Sequence, residues 1–216
     1  MKNPKLMTAF AAALALGSVA TLSAQNSQAQ VPGAMDASRI TAGTYAVDPA
    51  HTLVGWRVNH FGFNDYPGLF GWAEGTLQMD PAAIESASVD ITVPVGKVTL
   101  ASEGLRDHLL RPGKDGAAPD FFGAEPAPAR FVSTQIRRTG DFTAKITGQL
   151  TLKGVTRPVT IDAEFTGAGV NPMNRKETIG FMGSATIKRS EFGINYGIPM
   201  VADEVELDIS AAFEKQ

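Results

Sequence analysis

The chain has 216 residues, 44% hydrophobic and 19% charged, with a net charge of −3, a pI near 5.6 and no cysteine. Disulfides and a lipid-modified cysteine are thereby excluded, so stability has to come from the core. The weak negative charge and scattered Lys and Arg residues give no footprint for nucleic acid or any other polyanion.

At the N-terminus Lys2 and Lys5 precede an apolar run from Leu6 to Leu22, and small and polar residues follow from Ser23 to Gln30. This pattern predicts a secretory signal peptide over residues 1–29, with Ser27 and Ala29 fitting the small-residue cleavage rule better than Leu22 and Ala24. The run is at the short limit for a bilayer span and no later segment is apolar enough to cross, so the mature protein is expected to hold no stable membrane span. Residues 30–43 read as a flexible leader. Residues 44–216 suffice for one domain with a substantial core.

From Thr44 onward the dominant period is two. Thr44 to Val47 is a short candidate strand, and Asp48-Pro49 before His51 predicts a turn in which the Asp side chain bonds local backbone. Alternating runs follow at Leu53 to His60, Leu69 to Met79 and Ala87 to Val93. The exception comes next: Ser102 is a suitable N-cap, Glu103 suits a first turn, and Pro112-Gly113 ends a helix of about two turns. On that helix Leu105 and Leu109 share a face with His108 at its edge, and Arg106 is placed to pair with Glu103.

Strand periodicity resumes at Arg130 to Arg138. Ile146 to Lys153 and Val159 to Phe165 form a hairpin through Lys153-Gly154, with Pro158 where a strand begins. Ile179 to Arg189 and Val205 to Phe213 complete about eight strands besides the short one, which argues for an all-β barrel or sandwich. Small inward residues (Gly148, Ala163, Gly183, Ala185, Ala211) allow two readings. Either they nest against bulky neighbours in a filled core, which packing alone favours, or they leave room for a ligand.

Signatures of catalysis are thin. His51 and His60 flank one strand, and nine residues at about 3.3 Å each would hold them about 30 Å apart on opposite faces, too far to share a metal. There is no HExxH, GxSxG or Gly-rich phosphate loop. His108 reads first as a packed imidazole bracing helix to barrel and second as a contact to a ligand head group. The aromatic residues, Phe61, Phe63 and Phe192 among them, read as core singly and as the lining of an apolar cavity collectively.

Six segments in order, VDPAHTLVGWRVNH (Val47 to His60), GLFGWAEG (Gly68 to Gly75), LRDHLL with DFF (Leu105 to Phe122), ARF (Ala129 to Phe131), GQLTLKGVTRPV (Gly148 to Val159) and RSEFGI (Arg189 to Ile194), resemble the YceI-like family. The resemblance spans nearly all of Thr44 to Phe213. It implies an all-β, lipocalin-like antiparallel β-barrel of about eight strands with one short helix, in a bacterial periplasmic protein. The barrel would hold a polyisoprenoid or similar amphiphilic lipid, without catalysis, metal or cofactor.

On that basis the expected tail site is Trp56, Phe70, Trp72, Phe121, Phe122 and Phe181, and the expected head-group contacts are Arg106, His108 and Arg189. The chain departs from the family pattern in two places. Arg111 to Pro119 intervenes between the HL and DFF motifs, as an exposed irregular loop by composition, and a usual Tyr-Pro is replaced around Ala127 to Ala129. A homodimer sharing an open-ended barrel is a further expectation. The competing readings are a ligand-free stress-protective or interaction protein with a filled interior, and an enzyme with a polar cluster in the cavity.

Overall fold

The computed structural model describes residues 31–216; the expected signal peptide lies outside the described residues. Ten strands form one antiparallel sheet: β1 (Gly43–Val47), β2 (Leu53–His60), β3 (Asn64–Phe70), β4 (Glu74–Met79), β5 (Ser88–Val93), β6 (Ala129–Arg138), β7 (Thr143–Leu152), β8 (Val155–Val170), β9 (Glu177–Lys188) and β10 (Glu204–Lys215). One helix, α1 (Glu103–Leu110), lies in the connection between β5 and β6. No helix among the described residues is long and apolar enough to cross a membrane.

The sheet closes because one edge of β10 is shared. Glu206 to Ser210 pair with β2, and Phe213 to Lys215 pair with β1, which also pairs with β4. At the corner between β1 and β2 the buried Thr52 hydroxyl bonds both the N–H and the carbonyl of Ala212, and Asp48 N–H donates to the same carbonyl, so the ladder has no gap. β3 pairs with β2 as β4 pairs with β1, so β3 and β4 follow the same two-part path. Each pair therefore acts as one bent strand, and the ten segments make a closed eight-stranded antiparallel barrel.

The fold class and most strands are those expected from period-two patterning. The exception is Leu69 to Met79, which is split between two strands, and Asn64 to Gly68, the larger part of β3, was not expected as strand. Pro67 and Gly68 weaken the strand signal there. The Lys153-Gly154 hairpin forms with both residues left-handed, the geometry a two-residue turn needs, but β8 begins at Val155, placing Pro158 three residues inside it.

At one end of the barrel, the base, lie the turns after β4, β6 and β8. Residues 31–42, expected as a flexible leader, are laid against this base: Ala34 exchanges two backbone hydrogen bonds with Ala168, and Ile40 is buried. Gly169 makes this approach possible, since a Cβ there would stand 2.2 Å from the Pro32 carbonyl oxygen. The contact joins residues more than a hundred positions apart, which local patterning cannot reveal.

The same end carries the polar clasp that secures β1. Tyr45, fully buried, directs its hydroxyl at Glu177 and at the Thr41 carbonyl; Glu177 accepts from the Thr41 amide at 2.8 Å and hydroxyl at 2.7 Å. Lys215 Nζ donates to Thr41 and Ala42 and sits 4.9 Å from the Tyr45 ring centroid. Burial, reinforced by the hydrogen bond to Glu177, pushes the Tyr45 phenol up to about 12. Burial also opposes ionisation of Glu177, but hydrogen bonds from Tyr45 and Thr41 and the Lys215 charge outweigh it and hold the carboxyl below its ordinary 4.5.

A carboxyl depressed on folding contributes stability above its unfolded value that is lost as pH falls through the folded one. Glu177→Gln should therefore cost about 1–3 kcal/mol at neutral pH, and the deficit should shrink below pH ~4 in urea titrations. A deficit unchanged with pH would show that ionised Glu177 does not secure the clasp.

Candidate functional site: an apolar cavity with a polar mouth

Alternation along the strands sends one side chain in two to the barrel axis, but these inward residues are not fully buried. Ile146, Ile161, Ala163, Val205, Leu207, Ile209 and Ala211 are only half-buried, whereas their outward neighbours are largely exposed. Inward atoms keep accessible surface because the barrel is hollow. The cavity measures about 1020 Å³, at the upper end for small-molecule sites, and its wall is overwhelmingly apolar.

Small residues help to create this space by letting aromatic rings lie close to the wall. A Cβ on Gly68 would come within 2.2 Å of the Trp56 indole, and one on Gly148 within 2.4 Å of the Phe131 ring. Filled-core nesting and ligand space, posed as alternatives by the sequence, thus occur together. Packed clusters at both ends bracket the hollow. Tyr45, Leu77, Met79, Ile179 and Phe213 belong to the basal one; Val95, Leu152, Phe192 and Ile194 belong to the other.

Five of the six expected tail residues are in the wall. Trp56 and Phe70 have ring centroids 6.3 Å apart, and Phe70 meets Phe122 edge-on at 6.0 Å. Phe121 lies nearer the mouth; Phe181 is basal, 5.9 Å from Phe165 and 6.0 Å from Phe213. Trp72 is the correction. It sits in the corner between β3 and β4 with φ 58°, is 60% exposed, and lies outside the wall with Lys97 Nζ 5.0 Å from its ring centroid. The left-handed corner breaks the parity that would have paired it with Phe70.

Opposite the base, the mouth is built by the turn after β2, the connection carrying α1 and the loop after β9. Ser102 caps α1, its Oγ accepting from Leu105 N–H at 3.2 Å, and Leu105, His108 and Leu109 face the cavity as their spacing predicts. His108 Nε2 stands 2.8 Å from Asp120 Oδ2 and 2.8 Å from Arg111 Nη2, while Arg111 donates to Asp120 at 2.9 Å. Nε2 can donate to Asp120 or accept from Arg111, so the two contacts require opposite protonation of that atom. Hydrogen bonds from Arg111 and then His108 hold the Asp120 carboxyl below its usual range.

This triad joins the C-terminal end of α1 to the DFF segment across the insertion. The His108 ring also packs edge-on against Phe121 at 5.1 Å and Tyr196 at 4.8 Å, consistent with a brace. The insertion itself is largely exposed, with a short 3-10 turn at Lys114–Gly116, and Lys153 Nζ donates to Pro119 O at its end at 3.0 Å. Arg106 is exposed and outside the wall, and among the described residues it forms no ion pair with Glu103.

Arg189 lines the cavity but is only 5% exposed, and its guanidinium is occupied by main chain. Nε donates to Ala202 O, Nη1 to Ile194 O and Tyr196 O, and Nη2 to Val201 O, at 2.8–3.1 Å. Burial works against its charge, and the Asp203 carboxylate nearby offsets part of that penalty. The residue expected to meet a head group therefore shapes the loop between β9 and β10.

Comparison with known proteins agrees with this architecture. The YceI-like domain model matches residues 45–213. The chain belongs to the YceI-like family. A UPF0312 protein of Pseudomonas putida is 34% identical over 185 residues, covering 84% of this chain and 92% of its relative. Among solved structures, Burkholderia cenocepacia BcnA superposes with a TM-score of 0.65 at 27% identity, covering 77% of this chain and 98% of BcnA. The Campylobacter jejuni YceI protein gives 0.62 at 26%, covering 73% and 90%. A Saccharophagus degradans polyisoprenoid binding domain implicated in plant cell wall breakdown gives 0.55, covering 82% and 100%, and at 12% identity it shares the fold alone.

Sequence reasoning missed several wall residues. Tyr66 is on the unexpected part of β3, Tyr196 is in the irregular loop after β9, and Phe165 and Phe213 ended strands whose inward face was expected but whose rings were not singled out. His60 could have been found, since it has the same parity as Trp56 along β2.

Arg189→Lys should keep the charge but lose the fork that serves these carbonyls, costing about 2–3 kcal/mol in denaturant unfolding. A full-stability variant with reduced ligand uptake would instead make Arg189 a ligand contact.

Proposed function

We propose that the protein binds and carries a polyisoprenoid or similar long amphiphilic lipid in the barrel of the mature periplasmic chain, without chemistry of its own. The observation that carries this reading is the half-buried state of the inward apolar side chains, which leaves a wall that only an apolar guest would remove from water. Each CH₂ buried there is worth about 0.8 kcal/mol, so a few isoprene units supply strong binding. Summation over a longer tail overshoots the practical ceiling of about 18–21 kcal/mol and does not give an affinity.

The family resemblance carries the same expectation of an isoprenoid guest, and the N-terminal pattern carries that of export. Such a guest suits an aqueous compartment because its tail is insoluble there. The tail would lie along Trp56, Phe70, Phe122 and Phe181. Its head would stop at the mouth, where His108 and Tyr196 bring polar atoms to the cavity edge. Arg106 lies outside the wall and Arg189 is engaged by main chain, so His108 is the head-group candidate retained of the three.

Native mass spectrometry and lipid extraction of protein purified from its own periplasm should reveal a bound polyprenyl lipid. In a Trp72→Phe background Trp56 alone reports on the wall, so polyprenol titration should change its fluorescence. Ala163→Phe, filling the cavity from mid-strand, should reduce uptake by at least about tenfold with the barrel folded. A consistently empty protein that also takes up no polyprenol would sink the carrier reading.

A further inference from the structure

One side of the mouth is lined by apolar side chains that face water. Phe61 and Phe63, in the turn after β2, are 46% and 87% exposed; Tyr196 and Met200, in the loop after β9, are 49% and 62% exposed. These segments are held together: Phe61 N–H donates to Met200 O at 2.8 Å, Ala202 N–H to Asn59 O at 2.9 Å, and His60 bridges to Val201. Phe61, Met200 and Pro199 also line a shallow surface groove. The collar is thus a fixed surface.

Residues 59–64 (NHFGFN) and 192–202 (FGINYGIPMVA) contain no Lys, Arg, Asp or Glu and are bounded by Asp65, Glu191 and Asp203. The base also exposes apolar residues: Met35 precedes Asp36, Phe142 follows Asp141 and Met173 precedes Asn174-Arg175-Lys176, while Val31 and Val170 lie in uncharged stretches. Phe61, Tyr196 and Met200 belong to the cavity wall as well, so apolar surface runs without a break from the interior to the outside of the mouth.

We propose that this collar docks the mouth on the surface of a lipid bilayer, with Phe63 as its leading anchor. The inference rests on the lipid-carrier reading, because an insoluble guest has to be exchanged with a membrane. Aromatic side chains beside uncharged polar groups suit the headgroup region, where their rings meet the acyl boundary. A bilayer also leaves an alkyl chain a continuous apolar path, whereas a second copy of the chain would occlude it. With no charge on the collar, docking should require neither anionic lipid nor low salt.

The test is flotation of the full mature chain with phosphatidylcholine vesicles, beside native mass spectrometry of polyprenol uptake from detergent micelles. Wild type should float with neutral vesicles equally at low and high salt. Phe63→Asp, altering an exposed residue outside the cavity wall, should cut flotation by at least about tenfold and slow vesicle-to-protein transfer while leaving uptake from micelles unchanged. Met173→Asp, at the base, should float as wild type does.

Absence of wild-type flotation with uptake from micelles intact would overturn the docking and leave the carrier reading standing; loss of both would end both. Flotation that needs anionic lipid, or that Met173→Asp abolishes and Phe63→Asp spares, also overturns the assignment. So does a dimer in solution that Phe63→Asp dissociates, without flotation, since the collar would then be a contact between copies.

Discussion

Closure along β10 is the constraint on which the rest of the structure depends. One edge of this strand accepts β2 near its start and β1 near its end, and the corner between them is bridged by Thr52, Asp48 and Ala212. Because the ladder is continuous, the wall does not need a filled interior to satisfy its backbone groups. Packing is concentrated in clusters at the two ends, one around Tyr45 and Ile179, the other around Phe192 and Ile194. The space between them is then free to serve another purpose.

A hollow apolar barrel gives up hydrophobic stabilisation that a filled one would gain, since its inner side chains retain accessible surface. Gly68 and Gly148 show how the space is kept: each lets an aromatic ring lie where a larger residue would force it away. The guest would complete what is otherwise an unfinished core, so ligand affinity and barrel stability draw on the same apolar surface. The buried Trp56 Nε1, which has no hydrogen-bond partner among the described residues, adds one polar atom to that wall. It remains shielded from water.

The two ends of the barrel use different chemistry. At the base, a charged clasp of Glu177, Tyr45, Thr41 and Lys215 fastens β1, and the N-terminal residues from Val31 lie over β8. At the mouth, Arg111, Asp120 and His108 form a charged cluster on the α1 side, and Arg189 turns its donors onto loop carbonyls. The rim formed by residues 59–64 and 192–202 exposes Phe61, Phe63, Tyr196 and Met200 and has no formal charge. Polar strength therefore holds the base, and apolar surface borders one side of the mouth.

Much of this was legible in the sequence because its signals are local. Period-two alternation placed Leu53 to His60 and Val205 to Phe213 as strands, Ser102 and Pro112 bounded the helix, and Lys153-Gly154 marked the hairpin; six motifs in order indicated the family. Inward parity likewise placed Trp56 and Phe181 in the wall. Tertiary structure decided what depends on non-local contact or on a single left-handed residue. Trp72 turns outward at φ 58°, Arg189 is taken up by the carbonyls of its loop, and the expected leader is bound across β8. Alternation fixes which face a side chain takes, but whether opposite faces meet or enclose a cavity depends on how the sheet closes around them.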